Sequence, residues 1–316
     1  MNLKITVCIF LVFAISFSSF AVFANTFPTG LDFSQKNFFA KEFSDKKKII
    51  LLGSSHVGQL NTTYITNYLN KNDIEVFNLA YNSDTPERRS RFLNEMIALK
   101  PTVVIYGVSY RDFQTPFNES PLPDPKYFFN NLSNELMKND ITTNPKLITL
   151  NFIRNVQNSF VVLRTEEKIL TFDNTPFFSY NIETQTQIAN EIELKKQSQR
   201  SEASKFSLEA PDKNKQAEAL INLINEFEQN NIKVVLFLTP LNKYYLAEIP
   251  DSQHIIFNSI INHVINETGV SVYDLRYKYS EMPIWANISH VAFNKDSLIY
   301  SEDIAKIIEK EILDAI

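Results

Sequence analysis

Near the start of the chain, the stretch Ile49-Ile50-Leu51-Leu52-Gly53-Ser54-Ser55-His56 is the clearest indication of the architecture. Its first four residues are all apolar, which is typical of a strand buried on both faces, as in a parallel sheet. Gly53 permits a tight turn, and a helical pattern follows it. Ser55 is therefore predicted to lie where a strand ends and a helix begins, beside the unpaired N–H groups of the helix N-terminus.

Four more apolar segments, separated by helical patterns, extend this arrangement along the chain. The predicted strands are 49–52, 74–79, 102–106, 233–238 and 270–275, and the predicted helices are 57–70, 87–100, 215–229, 252–268 and 301–316. This alternation predicts an α/β fold, a doubly wound five-stranded parallel sheet of flavodoxin-like order. Sites in such sheets form at the carboxyl ends of the strands, where Ser55 is expected.

The alternation breaks down between about residues 113 and 211, a segment that is too long for a simple loop. We interpret it as a mostly helical insertion that forms a cap on the domain spanning residues 25–316. Its aromatic side chains could shape a substrate site, although packing onto the core is the simpler explanation for most of them. These aromatic residues are Tyr127, Phe128, Phe129, Phe177, Phe178 and Tyr180.

The N-terminus indicates export. Residues 5–23 are apolar and uncharged, follow Lys4 and end in Val22-Phe23-Ala24, which is the pattern of a secretory signal peptide over residues 1–24. The same stretch is also just long enough to span a bilayer as an uncleaved membrane anchor. Both forms place the protein outside the cytoplasm, secreted or at the cell surface, with membrane contact only through residues 5–23 if they are retained.

Composition narrows the possible functions. The net charge of −5 argues against a nucleic-acid-binding protein, because such proteins usually carry a basic excess. Cys8 is the only cysteine and would be lost on cleavage, which leaves no disulfide and no thiolate metal site. No spacing of His, Asp and Glu predicts a metal centre. Sequons permit glycosylation at Asn61, Asn118, Asn131, Asn266 and Asn287.

A second informative stretch, Asn287-Ile288-Ser289-His290, lies just before the last predicted helix. A serine becomes a good nucleophile when a neighbouring base takes its proton, and His290 is a candidate for that base. With a serine after the first strand and a histidine before the last helix, the chain resembles the SGNH (GDSL-like) hydrolase family of esterases, lipases and acyltransferases.

The resemblance covers four motif blocks, of which most are altered here. Gly53-Ser54-Ser55 matches the family's Gly-Asp-Ser and makes Ser55 the implied nucleophile. In the second block, residues 78–85, Ser83 stands where the oxyanion-hole glycine belongs, and in the third, residues 107–112, Ser109 stands for an asparagine donor. The fourth block, Asp-x-x-His, keeps His290 but has Asn287 in place of the acid.

The resemblance implies an extracytoplasmic serine esterase or acyltransferase that needs no cofactor. Ser55 would attack a small ester or an acylated glycan, with cell-surface polysaccharide as one candidate, and His290 would be the general base. The N–H groups of Ser55 and Ser83, assisted by Ser109, would hold the oxyanion. The alternative is a catalytically inactive protein that keeps the scaffold for binding glycan or for envelope assembly.

Asn287 could orient the histidine ring but could not stabilise its positive charge. Asp274 is therefore considered as a substitute acid that orients His290, and Asp84 is a second possibility. His56, directly after the nucleophile, is expected to line the site, to cap the helix start or to face solvent.

The export hypothesis predicts a mature chain that begins near Asn25, or a chain that stays tethered by residues 5–23. Mass spectrometry of the secreted and membrane fractions measures both forms. An intact chain recovered only from the cytosol would reject them.

Overall fold

The computed structural model describes residues 38–69, 73–114, 186–201 and 203–313. The helices and strands of these ranges belong to one compact unit. The signal or anchor segment, the six aromatic residues of the insertion and most of the insertion itself lie outside the described residues. Among the helices of the described ranges, none combines the length and the apolar character needed to cross a bilayer.

Five strands of the described residues form a parallel sheet in the order β2-β1-β3-β4-β5. This confirms the predicted α/β fold with flavodoxin-like order. The strands are β1 Lys47–Gly53, β2 Ile74–Asn78, β3 Val103–Val108, β4 Lys233–Leu238 and β5 Ser271–Asp274. In β1, Ile49 pairs with Val76 of β2 and Val103 of β3. Its apolar residues, 49–52, are fully buried, as expected of a strand that is covered on both faces.

The helices within the described ranges cover both faces of this sheet. They are α1 Ser55–Gly58, α2 Thr62–Leu69, α3 Pro86–Arg89, α4 Leu93–Ala98, α5 Glu191–Ser198, α6 Lys215–Gln229, α7 Lys243–Glu248, α8 Asp251–Thr268 and α9 Ile299–Leu313. One face of the sheet shares a core with α2 and α9, and α6 packs against α8 and β4 on the other. The described part of the predicted insertion contributes α5 and short 3-10 turns.

The prediction of two continuous helices, over 57–70 and 87–100, is wrong. The expected helix over 57–70 is interrupted between α1 and α2, because the N–H of Asn61 donates to Ser301 Oγ at 2.9 Å. In an unbroken helix that N–H would bond to the carbonyl of Val57, which instead accepts from the buried Asn78 amide at 2.8 Å. The expected helix over 87–100 is divided into α3 and α4 by a 3-10 turn at Ser90–Phe92.

Two glycines let α1 sit directly on the ends of β1 and β3. Gly53 pairs with Gly107 across these strands. A Cβ on Gly53 would lie 2.5 Å from Gly107 O and 2.5 Å from Val57 Cγ2, and one on Gly107 would lie equally close to Val57 Cγ2 and to Phe237 Cζ. Gly53 also has a φ of +140°, which residues with a side chain rarely adopt. The Val57 side chain thus fills space that only glycines leave open, and Ser55 is held at the carboxyl end of β1.

Replacing Gly53 by alanine should destabilise the fold more than the same change at Gly269. Both glycines have positive φ, but nothing lies within 4 Å of the Cβ position of Gly269. We expect Gly269→Ala to cost about 1–2 kcal/mol for its left-handed backbone. Gly53→Ala should cost about 2 kcal/mol or more beyond that, because it also overpacks the core. Urea unfolding of the two variants measures the difference, and equal costs would show that the close packing at Gly53 contributes nothing.

Candidate active site

The structure brings together the serine and the histidine that the sequence singled out. Ser55 is the first residue of α1 and is partly exposed. Its Oγ lies 2.8 Å from Nε2 of His290, 235 residues later in the chain. This is hydrogen-bond distance, and it is the geometry that a base needs to take a proton from a serine hydroxyl.

The other side of the His290 ring is held by Asn287. His290 Nδ1 lies 2.9 Å from Asn287 Oδ1. The same oxygen accepts the backbone N–H groups of Ser289 and His290, both at 3.0 Å, and the Ser289 hydroxyl at 3.2 Å. Because backbone N–H groups can only donate, this atom is the amide oxygen.

This contact selects the histidine tautomer. An amide oxygen can only accept, so the contact requires Nδ1 to carry the ring proton and donate it; the Ser289 hydroxyl, whose Oγ also lies 3.1 Å from Nδ1, then donates to the same amide oxygen. Nε2 then presents its lone pair to the Ser55 hydroxyl. The neutral, correctly oriented base is therefore obtained with an amide at residue 287 instead of a carboxylate.

The proposed substitute acids are engaged elsewhere. The carboxylate of Asp274 pairs with the Arg276 guanidinium, with Oδ2 2.7 Å from Nη2. Asp84 is buried and pairs with Arg89, whose Nε donates to it at 2.8 Å. The expectation that Asp274 orients His290 is therefore wrong. Arg276, two residues beyond Asp274, forms an ion pair with its carboxylate. The position next to Nδ1 of His290 is occupied by Asn287 Oδ1.

The predicted oxyanion-hole residues follow the carboxyl ends of β1, β2 and β3, with Ser55 at the start of α1 and Ser83 and Ser109 in the segments after β2 and β3. Ser83, which stands where the family has a glycine, adopts the left-handed φ of +54° that this position needs. Its backbone N–H donates to none of the described groups. Ser109 is buried directly after β3, and its N–H donates to Asp112 Oδ2 at 2.6 Å. Burial raises the pKa of Asp112 to about 7, although this hydrogen bond opposes the rise. The roles of Ser55, Ser83 and Ser109 in binding an oxyanion stay predictions.

Two further residues lie beside the serine and the histidine. Arg111 was not assigned a role from the sequence, and of the three expectations for His56 the structure agrees with a place at the site and contradicts exposure to solvent. His56 is buried, and its ring stacks on that of His290 with centroids 5.1 Å apart and an angle of 25° between the planes. Arg111, exposed on the turn after β3, is close enough for its charge to lower the pKa of both histidines. The position of His56 directly after the nucleophile was the one signal that pointed to it.

The electrostatics of the site disfavour a charged histidine. Burial, and after it the charge of Arg111, lowers the pKa of His290 to about 4. The side chain paired with Nδ1 is an amide, which supplies no negative charge to oppose these effects. His290 is therefore neutral at neutral pH and able to accept a proton, but its charged form is poorly stabilised.

The loop that carries His290 is fastened to residues at the end of the predicted insertion. Ile288 N–H donates to Gln197 Oε1 of α5 at 3.2 Å, and the N–H of Ala189 donates to the carbonyl of Trp285 at 2.8 Å. The insertion thus supports the histidine loop through its last, described part. Within the described ranges, no group of three or more His, Cys, Asp or Glu side chains is placed to hold a metal ion.

No family model matches the sequence, and no curated protein matches it. Solved structures resemble the fold. The acetyl xylan esterase AlAXEase is 10% identical with a TM-score of 0.42, over 83% of this chain and 99% of its own. The esterase EstA from Pseudoalteromonas sp. is 10% identical with a TM-score of 0.40, over 84% and 99%. A GDSL-like lipase from Bacteroides thetaiotaomicron is 10% identical with a TM-score of 0.38, over 95% and 98%.

At these identities and TM-scores the likenesses carry no argument about chemistry. The strand order, with Ser55 after the first strand and His290 before the last helix, agrees with the motif resemblance seen in the sequence. The chain has a flavodoxin-like α/β fold that brings this serine and this histidine together. Its departures from the family pattern, foremost Asn287, are its own.

A carboxylate at residue 287 should raise the pKa of His290. In Asn287→Asp the new carboxylate oxygen would meet the same four donors, so the ring should keep its position and gain an opposite charge beside Nδ1. We expect the pKa of His290 to rise from about 4 to roughly 5–7. Histidine titration by NMR measures it. Ser289→Ala removes the 3.1 Å contact between Ser289 Oγ and Nδ1 but adds no charge, so the pKa of His290 should not rise in that variant. A similar rise in both variants would contradict the charge explanation.

Proposed function

We propose that the protein is a serine esterase or acyltransferase, with Ser55 as the nucleophile and His290 as the general base. The observation that carries the proposal is the 2.8 Å contact between Ser55 Oγ and His290 Nε2, in a ring whose Nδ1 is anchored on Asn287. A serine and a neutral imidazole in this geometry form a dyad suited to acyl transfer. The partial exposure of Ser55 leaves its hydroxyl within reach of a substrate.

The reaction proceeds through an acyl-enzyme. Ser55 Oγ attacks the ester carbonyl carbon as its proton moves to His290 Nε2, and the N–H groups of Ser55 and Ser83, with Ser109, hold the oxyanion. Collapse of the tetrahedral intermediate breaks the bond to the leaving alcohol, which takes the proton from His290. Water or an acceptor hydroxyl then attacks the acyl-enzyme as its proton moves to His290. The bond to Ser55 Oγ breaks, His290 returns the proton to that oxygen, and an acid or an acylated acceptor is released.

The resting site keeps His290 neutral, but it penalises the positive charge that His290 gains in each half of this cycle. His290 is neutral above its pKa of about 4, so the base is available across the neutral range. Once protonated, it lacks the carboxylate that stabilises the imidazolium in a complete triad. We therefore expect a slow enzyme.

We extend the proposal to an acylated glycan outside the cytoplasm, on grounds of sequence. The aromatic residues of the 113–211 insertion provide flat apolar surfaces that suit sugar rings, and residues 1–24 have the pattern of an export signal or anchor. A small ester is the other substrate class.

The replacement of the acid by Asn287 favours a second candidate, a non-catalytic protein that keeps the scaffold to bind glycan or to serve envelope assembly. A binding protein would need neither a nucleophile nor a base, whereas this chain keeps both in hydrogen-bond contact. The two candidates differ in whether Ser55 reacts.

A fluorophosphonate probe should label the wild-type protein at Ser55, because the probe reacts with serines that a base activates. Intact-mass spectrometry measures the adduct. Ser55→Ala should abolish labelling, and Ser54→Ala, which removes the neighbouring hydroxyl, should keep it. A wild type that is folded but never labelled would contradict the esterase proposal and support the binding protein.

Asn287→Asp should increase kcat on an activated aryl ester by about tenfold or more, since the reverse change lowers kcat by about 10⁴ in a serine protease. The acid limb of the kcat/KM profile should move to higher pH. Activity requires neutral His290, and a carboxylate raises the pH at which that residue loses its proton.

Asn287→Asp also removes the sequon at Asn287, so it is compared with Ser289→Ala, which removes the sequon without adding charge. A gain in Asn287→Asp alone identifies charge as the missing component. Equal kcat in the wild type and Asn287→Asp, with activity that still depends on Ser55, would show that His290 needs no acid at this position.

A further inference from the structure

The mechanism leaves one buried titratable group of the site without a task, the imidazole of His56. This residue follows the nucleophile within α1 and is 8% exposed. Its Nδ1 lies 3.3 Å from Ser54 Oγ, and its Nε2 is buried with no hydrogen-bond partner among the described residues. A buried polar atom without a partner costs stability, which makes a histidine an unfavourable choice if only packing is needed.

The His56 ring is held in one place. Its backbone belongs to the first turn after β1, and its carbonyl accepts the hydroxyl of Tyr300 at the start of α9, at 3.3 Å. Its ring stacks on the His290 ring, with centroids 5.1 Å apart. His290 is thus fixed at its Nδ1 edge by Asn287 and on one face by His56.

Stacking also bears on the charge that His290 acquires in the reaction. A cation next to the face of a neutral aromatic ring is attracted to it, and more strongly when water is excluded. In this site the amide of Asn287 contributes no charge and Arg111 opposes a cation. The neutral face of His56 is therefore a source of stabilisation in direct contact with the ring.

We propose that His56 is a positioning residue for His290. The neutral His56 ring keeps Nε2 of His290 directed at Ser55. It also stabilises the imidazolium of His290 that forms when Ser55 gives up its proton. The proposal rests on the function proposed above for Ser55 and His290.

The role requires His56 to remain neutral while His290 is charged, and the surroundings favour this. Burial, followed by the neighbouring His290 and Arg111, lowers the pKa of His56 well below its usual value. The His56 side chain is also less exposed than that of His290, so the proposal expects His56 to be the harder of the two to charge.

The test compares His56→Phe with His56→Leu. Both changes remove the contact to Ser54 and fill the site with an apolar side chain, but only phenylalanine keeps an aromatic face. On an activated aryl ester we expect kcat of His56→Phe to stay within about threefold of wild type, and kcat of His56→Leu to fall about tenfold with KM unchanged. His263→Leu, on the partly exposed surface of α8, should match wild type. Equal kcat values for the Phe and Leu variants would overturn the proposal.

A second readout does not depend on turnover. The chain has four histidines, so the His290 ring can be followed by NMR through a pH titration. The pKa of His290 should be about one pH unit higher in His56→Phe than in His56→Leu, as the tenfold effect on its charged form requires. Identical pKa values would overturn the proposal even if no activity is found, whereas an unreactive Ser55 with distinct pKa values would reject only the proposed function.

If neither variant folds, a pH titration of the wild-type protein still tests the proposal. With both rings assigned through bonds, His290 should take up its proton before His56 as the pH falls. Protonation of His56 first would overturn the proposal, because a charged His56 would repel the imidazolium at His290.

Discussion

The position of the site depends on there being no side chain at residues 53 and 107, which are both glycine. These residues pair across the neighbouring strands β1 and β3, and the Val57 side chain occupies the space that a Cβ on either would need. The first helical turn can therefore rest on the strand ends. Asn78 locks it there by donating to the carbonyl of Val57 and accepting the N–H of Ala80, which joins the nucleophile turn to the loop that carries Ser83. The packing of the Val57 side chain against the two glycines sets where Ser55 lies, and the Asn78 hydrogen bonds hold the turn there.

Beside Ser55, the orientation of the His290 ring and the stabilisation of its positive charge have separate sources. The Asn287 oxygen collects four donors and sets the tautomer and direction of His290. It does so without a charge, in surroundings where burial and Arg111 already disfavour an imidazolium. A hydrolase triad usually obtains both effects from one carboxylate. Here the geometry of the base is retained, and its electrostatic support has to come from other groups.

The sequence was sufficient for features that depend on local pattern. The apolar segments predicted the five strands and the place of Ser55 at a strand end, and the motif resemblance implied that His290 joins it. Features that depend on tertiary hydrogen bonds were not accessible. The break in the helix over 57–70 exists because Ser301 takes the N–H of Asn61, and Asp274 is diverted from His290 by an arginine two residues away. The stacking of His56 likewise needs a partner from the far end of the chain, which no periodicity reveals.

The distance along the chain between the two halves of the site has a consequence for its assembly. Ser55 and His290 are 235 residues apart, and the junction between α1 and α2 is closed by Ser301 at the start of the last helix. Translation proceeds at roughly 5–20 residues per second, so the serine emerges roughly ten seconds to a minute before its partner is synthesised. Contacts of such high sequence separation also form late in folding, because a long loop must close first. The newly made chain thus carries Ser55 without its His290 contact until helix α9 has docked.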